Sequence, residues 1–200
     1  MSIYGEPTNR DQIVNTDETE NPYARLTEQL STQVDFKDAV IFLDGEITEG
    51  TLVDLMIRVR SICSDPNVKT INLIINSVGG DVYDMFGIID YIESLDVKVN
   101  TICRGCAMSA AAIILTCGTG MRMMSRRSTV MFHQVSSFLE GKVSDIKANF
   151  DNVKNLERNV YDLLAEKTNK DASWWQENMR TDLFLSPDQL KEFGVIDEII

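Results

Sequence analysis

An α/β fold with a mainly parallel sheet is predicted by three features of the sequence. Short apolar runs at 39–43, 70–76, 97–103 and 128–132 have the length and composition of buried strands. Segments with apolar residues at helical spacing fall between them. Strand–helix alternation implies right-handed crossovers and parallel pairing. A chain of 200 residues can bury one core of this kind without metal or disulfide staples.

The elements follow in order. Residues 1–22 are polar, acidic and without periodicity, so a mobile arm is expected there, with 23–200 forming a single domain. A short helix is expected at 23–30, where Leu26 and Leu30 stand at i, i+4. The run 39–43 is ended by Asp44-Gly45. Leu52, Leu55, Met56, Val59, Ile62 and Cys63 then recur at helical spacing, and Asp65-Pro66-Asn67 stops them. The second unit is a strand at 70–76, a glycine-containing turn at 77–81, and a helix at 82–94 that buries Met85, Phe86, Ile89 and Ile92. The third pairs the strand 97–103 with an apolar helix at 107–117, and a fourth strand at 128–132 runs into His133.

The stretch 144–168 differs. Ile146, Phe150, Val153, Leu156, Val160, Leu163 and Leu164 hold one stripe for about seven turns at about 3.6 residues per turn. So long a helix either projects towards another subunit or lies across its own sheet. Asp171 can cap a short helix holding Trp174 and Trp175. Ser186-Pro187-Asp188-Gln189 is a capping box with Pro at the first helical position, and Gly194 closes that helix before a last strand at 195–199. Met121 to Met124 and Arg126-Arg127 read as packing and a solvated edge.

Charge and composition exclude several classes. A net charge of −12 argues against nucleic acid or an anionic membrane as partner. No run of about 18 apolar residues is present to span a bilayer, and the N-terminus has no leader pattern, so a soluble, cytoplasmic protein is expected. Cys63, Cys103, Cys106 and Cys117 are too few for a disulfide scaffold. Cys103 and Cys106 form a CxxC without a second short-spaced pair, so no metal site is expected.

Three places could carry chemistry. Ser109 lies in a run of small residues, Gly105 to Ala112, that opens a buried helix, where a hydroxyl sits beside bare backbone N–H groups. Close helix packing would explain the same small residues. A serine nucleophile needs a base, and His133 is the only histidine in the chain; a core imidazole is the alternative. Asp182, just before the apolar run 183–185, is a carboxylate not needed for the following cap and suited to orient an imidazole. The turn Gly79-Gly80 fails the dinucleotide fingerprint. It is either an oxyanion site or a plain tight turn.

Together these pieces resemble one family. Ile75-Asn76-Ser77-x-Gly79-Gly80, Gly105-x-Ala107-x-Ser109, Met131-x-His133-Gln134 and Asp182-x-Phe184-Leu185-Ser186, in this order, are similar to the proteolytic subunit of the Clp protease. The resemblance covers residues 38–200. It implies the spiral of repeated ββα units shared with crotonases, with the long helix projecting to join two stacked heptameric rings. It further implies a serine endopeptidase with Ser109 as nucleophile, His133 as base and Asp182 as orienting acid. Gly79 and Ala110 would supply the oxyanion N–H groups, and Gly80 and Val82 would line the peptide.

No cofactor is implied for this chain; ATP would be used by a partner AAA+ unfoldase that feeds in unfolded protein. The ring could hold this chain alone or a related subunit as well, and an organellar stroma is an alternative to bacterial-type cytoplasm. Val78 and Val135 stand where the family has Pro, Ser136 to Glu140 lack its Gly-rich run, and residues 1–37 match poorly. Two other readings are a non-catalytic ring subunit and a crotonase-like enzyme acting on an acyl thioester.

Overall fold

The computed structural model describes residues 34–137 and 140–200. The arm at 1–22 and the helix expected at 23–30 lie outside the described residues. Among the described residues, eight strands form one sheet: β1 (Val34–Asp35), β2 (Val40–Ile47), β3 (Thr70–Gly80), β4 (Lys98–Met108), β5 (Arg122–Met124), β6 (Thr129–Phe132), β7 (Leu183–Leu185) and β8 (Glu198–Ile199). Six helices accompany them: α1 (Thr51–Ile62), α2 (Val82–Ser94), α3 (Ala110–Thr116), α4 (Val143–Lys167), α5 (Ala172–Asn178) and α6 (Pro187–Glu192). The sheet runs β1-β2-β3-β4-β5-β8, with β6 pairing β4 and β7. Only the β1–β2 and β6–β7 pairs are antiparallel.

The strands β2, β3 and β4 run past the points where the sequence predicts their ends. Each pairing shifts register at one level, between Asp44 and Glu46 and between Ile75 and Ser77. Asn76 joins the three strands across this bend. Its Nδ2 donates to Asp44 Oδ1 (2.7 Å), and its Oδ1 accepts the Cys106 N–H (3.2 Å). Gly105, at φ 97°, has no room for a side chain, because a Cβ there would overlap Asn76 Oδ1. A turn at 77–81 was the expectation; instead Ser77 to Gly80 continue the ladder, with Glu46 opposite Gly79 and Ile47 opposite Gly80. Residues that read as turn chemistry are here bulges inside a sheet, a feature common beside active sites.

The bend also splits the sheet. Below it β4 pairs with β5 at Thr101–Cys103, and above it with β6 at Cys106–Met108. The strand β5, read from the sequence as packing and solvated edge, is thus part of the sheet. Arg122 within it forks onto both carboxylate oxygens of Asp197 and donates to the carbonyls of Thr116, Lys167 and Gly194. This one guanidinium ties the ends of α3 and α4 to the C-terminal segment.

The core lies between the sheet and helices α1, α2 and α3. Helix α2 has the expected bounds, capped by Asp81, whose carboxylate accepts the N–H groups of Tyr83 and Asp84. It buries Met85, Ile88, Ile89 and Ile92, with Phe86 only half-buried. All seven residues of α3 are buried, which accounts for its small and apolar composition. Helix α4 divides into two halves. Its first turns are exposed, Phe150 included, while Val160, Tyr161 and Leu164 pack inward near α5. In α5 Trp175 is fully buried against Phe132 of β6, ring centroids 5.0 Å apart. The box Ser186–Gln189 caps α6 as expected.

Candidate active site

Ser109 stands at the turn from β4 into α3. Its N–H donates to the Met131 carbonyl (2.8 Å), so β6 holds it in place, while its own carbonyl already accepts the N–H groups of Ala112 and Ile113. Its backbone is at φ 54°, ψ −124°. A non-glycine residue with positive φ is uncommon and costs on the order of 1–3 kcal/mol. Here the packing of β4 and the buried α3 enforces it, and a sharp strand-to-helix turn is the result.

The other residues singled out in the sequence stand on or beside neighbouring strands. His133 follows the last residue of β6, and the next N–H, of Gln134, donates to the Met179 carbonyl at the end of α5 (3.0 Å). The antiparallel β6–β7 register places Met131 opposite Phe184 and Phe132 opposite Leu183. The ladder ends there: His133 follows β6, and Asp182, which is exposed, directly precedes β7. The sequence does not predict β7 as a strand, and Asp182 directly precedes it. The hydrogen bonds of the described residues include none linking Ser109, His133 and Asp182.

Gly79 lies against the serine from the other side. A Cβ on Gly79 would come within 2.5 Å of the Met108 carbonyl oxygen, 2.8 Å of Ser109 Cβ and 3.0 Å of Ala110 N. With φ 91° as well, only glycine fits without displacing Ser109. Its N–H donates to the buried Ser77 hydroxyl (3.1 Å). Val78, just before it, turns a 58% exposed side chain to solvent. Gly80 is equally confined, since a Cβ there would overlap the Ile47 carbonyl.

Ser109, His133, Ala110, Gly80 and Val82 line one cleft of about 260 Å³; Asp182 and Gly79 do not line it. Met85, Ile113, Val153, Leu156 and Val160 give it an apolar floor, and Gln134, Ser136 and Ser137 add polar groups to its lining. Two of the four thiols, Cys103 and Cys117, are poor rivals to Ser109. Burial pushes Cys103 up to about 11 and Cys117 up to about 12, so both are neutral near pH 7. No cluster of metal-ligating side chains occurs among the described residues.

Comparison with known proteins fits this arrangement. The family model described as Clp protease matches residues 25–200. The chain belongs to the Clp protease family. It is 33% identical over 188 residues to the ATP-dependent Clp protease proteolytic subunit of Bacteroides thetaiotaomicron, covering 90% of this chain and 85% of that one. With the subunit of the same name from Bacteroides fragilis (strain ATCC 25285) it shares 33% identity over 189 residues, 90% of each chain. With subunit 1 of Prochlorococcus marinus (strain MIT 9312) the identity is 32% over 165 residues, 82% of this chain and 85% of the relative. Clp family membership makes the chain a Clp-type peptidase and implies an oligomeric assembly and partnership with Clp ATPases.

Several residues of the Clp site were not foreseen. Val153, Leu156 and Val160 were read only as a helical stripe, yet they line the cleft. Ser77 holds the Gly79 N–H, and Asn76 sets the bend that brings Gly79 beside Ser109. In the sequence both belong to the motif Ile75-Asn76-Ser77-x-Gly79-Gly80, which marks them without giving either a role. Val135, where the Clp resemblance leads one to expect Pro, lines the cleft next to Gln134. No helix among the described residues is long and apolar enough to cross a membrane.

Proposed function

We propose that this chain is a serine endopeptidase that cuts unfolded protein into peptides, with Ser109 as nucleophile. The observation that carries the reading is Ser109 held at positive φ in the cleft that also holds the only histidine. His133 takes the Ser109 proton as the hydroxyl oxygen bonds to the peptide carbonyl carbon. It returns that proton to the leaving amine, and water then hydrolyses the acyl-enzyme. Asp182, which precedes the strand that pairs with β6, orients the imidazole. Hydrogen bonds among such groups are often long in the free enzyme and tighten with substrate.

The oxyanion forms between Gly79 and Ala110. The Ala110 N–H, first in its helix, gives up no intrahelical acceptor to serve there. The Gly79 N–H exchanges the Ser77 hydroxyl for the oxyanion, trading a neutral hydrogen bond for a charge-assisted one. Gly80 and Val82 flank Ser109 in the cleft, and a peptide laid along them adds as a strand.

The assembly we propose is two stacked heptameric rings joined through the exposed half of α4, of this chain alone or mixed with a related subunit. An AAA+ unfoldase supplies substrate and uses the ATP; the names of the relatives, ATP-dependent proteolytic subunits, support this. The same proposal takes in one peptidase domain over 23–200 and a cytoplasmic site of action.

A fluorophosphonate probe tests the assignment. It labels Ser109, and Ser109→Ala abolishes labelling and lowers peptide turnover by on the order of 10⁶. Undiminished cleavage by Ser109→Ala overturns the reading.

A further inference from the structure

We infer that Tyr83 and Asn152 form a clasp between the two helices that line the cleft, and that this clasp sets the largest substrate side chain the cleft admits. The inference rests on the peptidase reading above and adds a specificity device to it. The two walls of the cleft come from different parts of the chain. Asp81 to Met85 bring the start of α2, and Val153 to Val160 bring the middle of α4. The Asn152 amide Nδ2 donates to the Tyr83 hydroxyl across 2.8 Å, joining positions 69 residues apart.

Three features make this bond a clasp. Tyr83 is 60% exposed, so its phenol is placed by this bond more than by packing. Its backbone end is fixed, since the Tyr83 N–H donates to the Asp81 cap at 2.8 Å. Asn152 is exposed and directly precedes Val153 of the apolar floor. A bond from a fixed helix start to the projecting helix limits how far the walls can part. The lining that the two helices supply includes the apolar Met85, Val153, Leu156 and Val160, so it rejects little on chemistry and the clasp rejects on size.

The test uses the full-length protein and internally quenched peptides that differ only in the residue before the cleaved bond: Ala, Leu, Phe or Trp. Tyr83→Phe removes the hydroxyl and keeps the ring; Asn152→Ala removes the donor. Each raises kcat/KM for Trp relative to Leu by on the order of fivefold, the worth of one neutral hydrogen bond. The double variant goes no further than either single one, because both lose the same bond. A uniform change on all four peptides overturns the clasp, as does an effect of Tyr83→Phe that Asn152→Ala does not share. Labelling of Ser109 by the fluorophosphonate probe in the wild type separates the two layers. A labelled enzyme with unchanged selectivity in the variants overturns the clasp alone; an unlabelled wild type overturns the peptidase reading and the clasp with it.

Discussion

Replacing Gly79 by Ala is the sharpest perturbation the structure offers. Two costs can be separated. The backbone at φ 91° disfavours any L side chain, by about 1–2 kcal/mol. In addition, the new methyl meets the Met108 carbonyl oxygen at 2.5 Å and Ser109 Cβ at 2.8 Å, both attached to backbone that also packs on β6. Relief requires moving the Ser109 turn or the Gly79 N–H by several tenths of an ångström. Misplacement on that scale of the nucleophile or of the proposed oxyanion donor lowers kcat by about 10²–10³ with little change in KM. Stability falls less, by about 2–4 °C per kcal/mol for a chain of this size. Gly50→Ala is the control. It has φ 98° but nothing within 4 Å of its Cβ, so it carries the backbone cost without touching the cleft. Initial rates on a short fluorogenic peptide, the rate of fluorophosphonate labelling and a thermal melt read all three quantities. Wild-type kcat in Gly79→Ala, or an equal loss in Gly50→Ala, would refute the reasoning.

Two further outcomes concern stability and reactivity. Burial raises the Asp197 pKa, but the Arg122 guanidinium and N–H outweigh it and hold the carboxyl below its ordinary value of 3.8. A depressed folded-state pKa means its stabilisation is complete above the unfolded value and disappears as pH falls through the folded one. The melting temperature therefore drops below about pH 4, and Asp197→Asn removes part of that dependence; a parallel pH profile in the variant would exclude this pair as a source. Iodoacetamide at pH 8, read by mass spectrometry, leaves Cys103 and Cys117 unmodified until denaturant is added, because both are buried and neutral. Modification of either in the folded protein contradicts this.

The sequence by itself determined the alternation of strands and helices, the helix 82–94, the long helix with its apolar stripe, and the box that caps α6. These are local matters, decided by side-chain periodicity and by caps within a few residues of the groups they satisfy. Ser109 and His133 could also be singled out as a hydroxyl and an imidazole at two turns. Only the tertiary structure decided that they share a cleft, because pairing of Met108 with Met131 is a contact between strands far apart in the chain. The same holds for the bend at Asn76, whose partners Asp44 and Cys106 lie 32 and 30 residues away. Read locally, Asp44-Gly45, Asn76 and Gly105 are strand breakers; in the sheet they become one shared bulge that carries β3 onward to Gly79. Strands β5 and β7, three residues each, exist only because longer strands offer them edges. Asp182 directly precedes β7, which pairs with the strand that His133 follows, and the Tyr83–Asn152 bond spans two helices, so no local pattern could announce either.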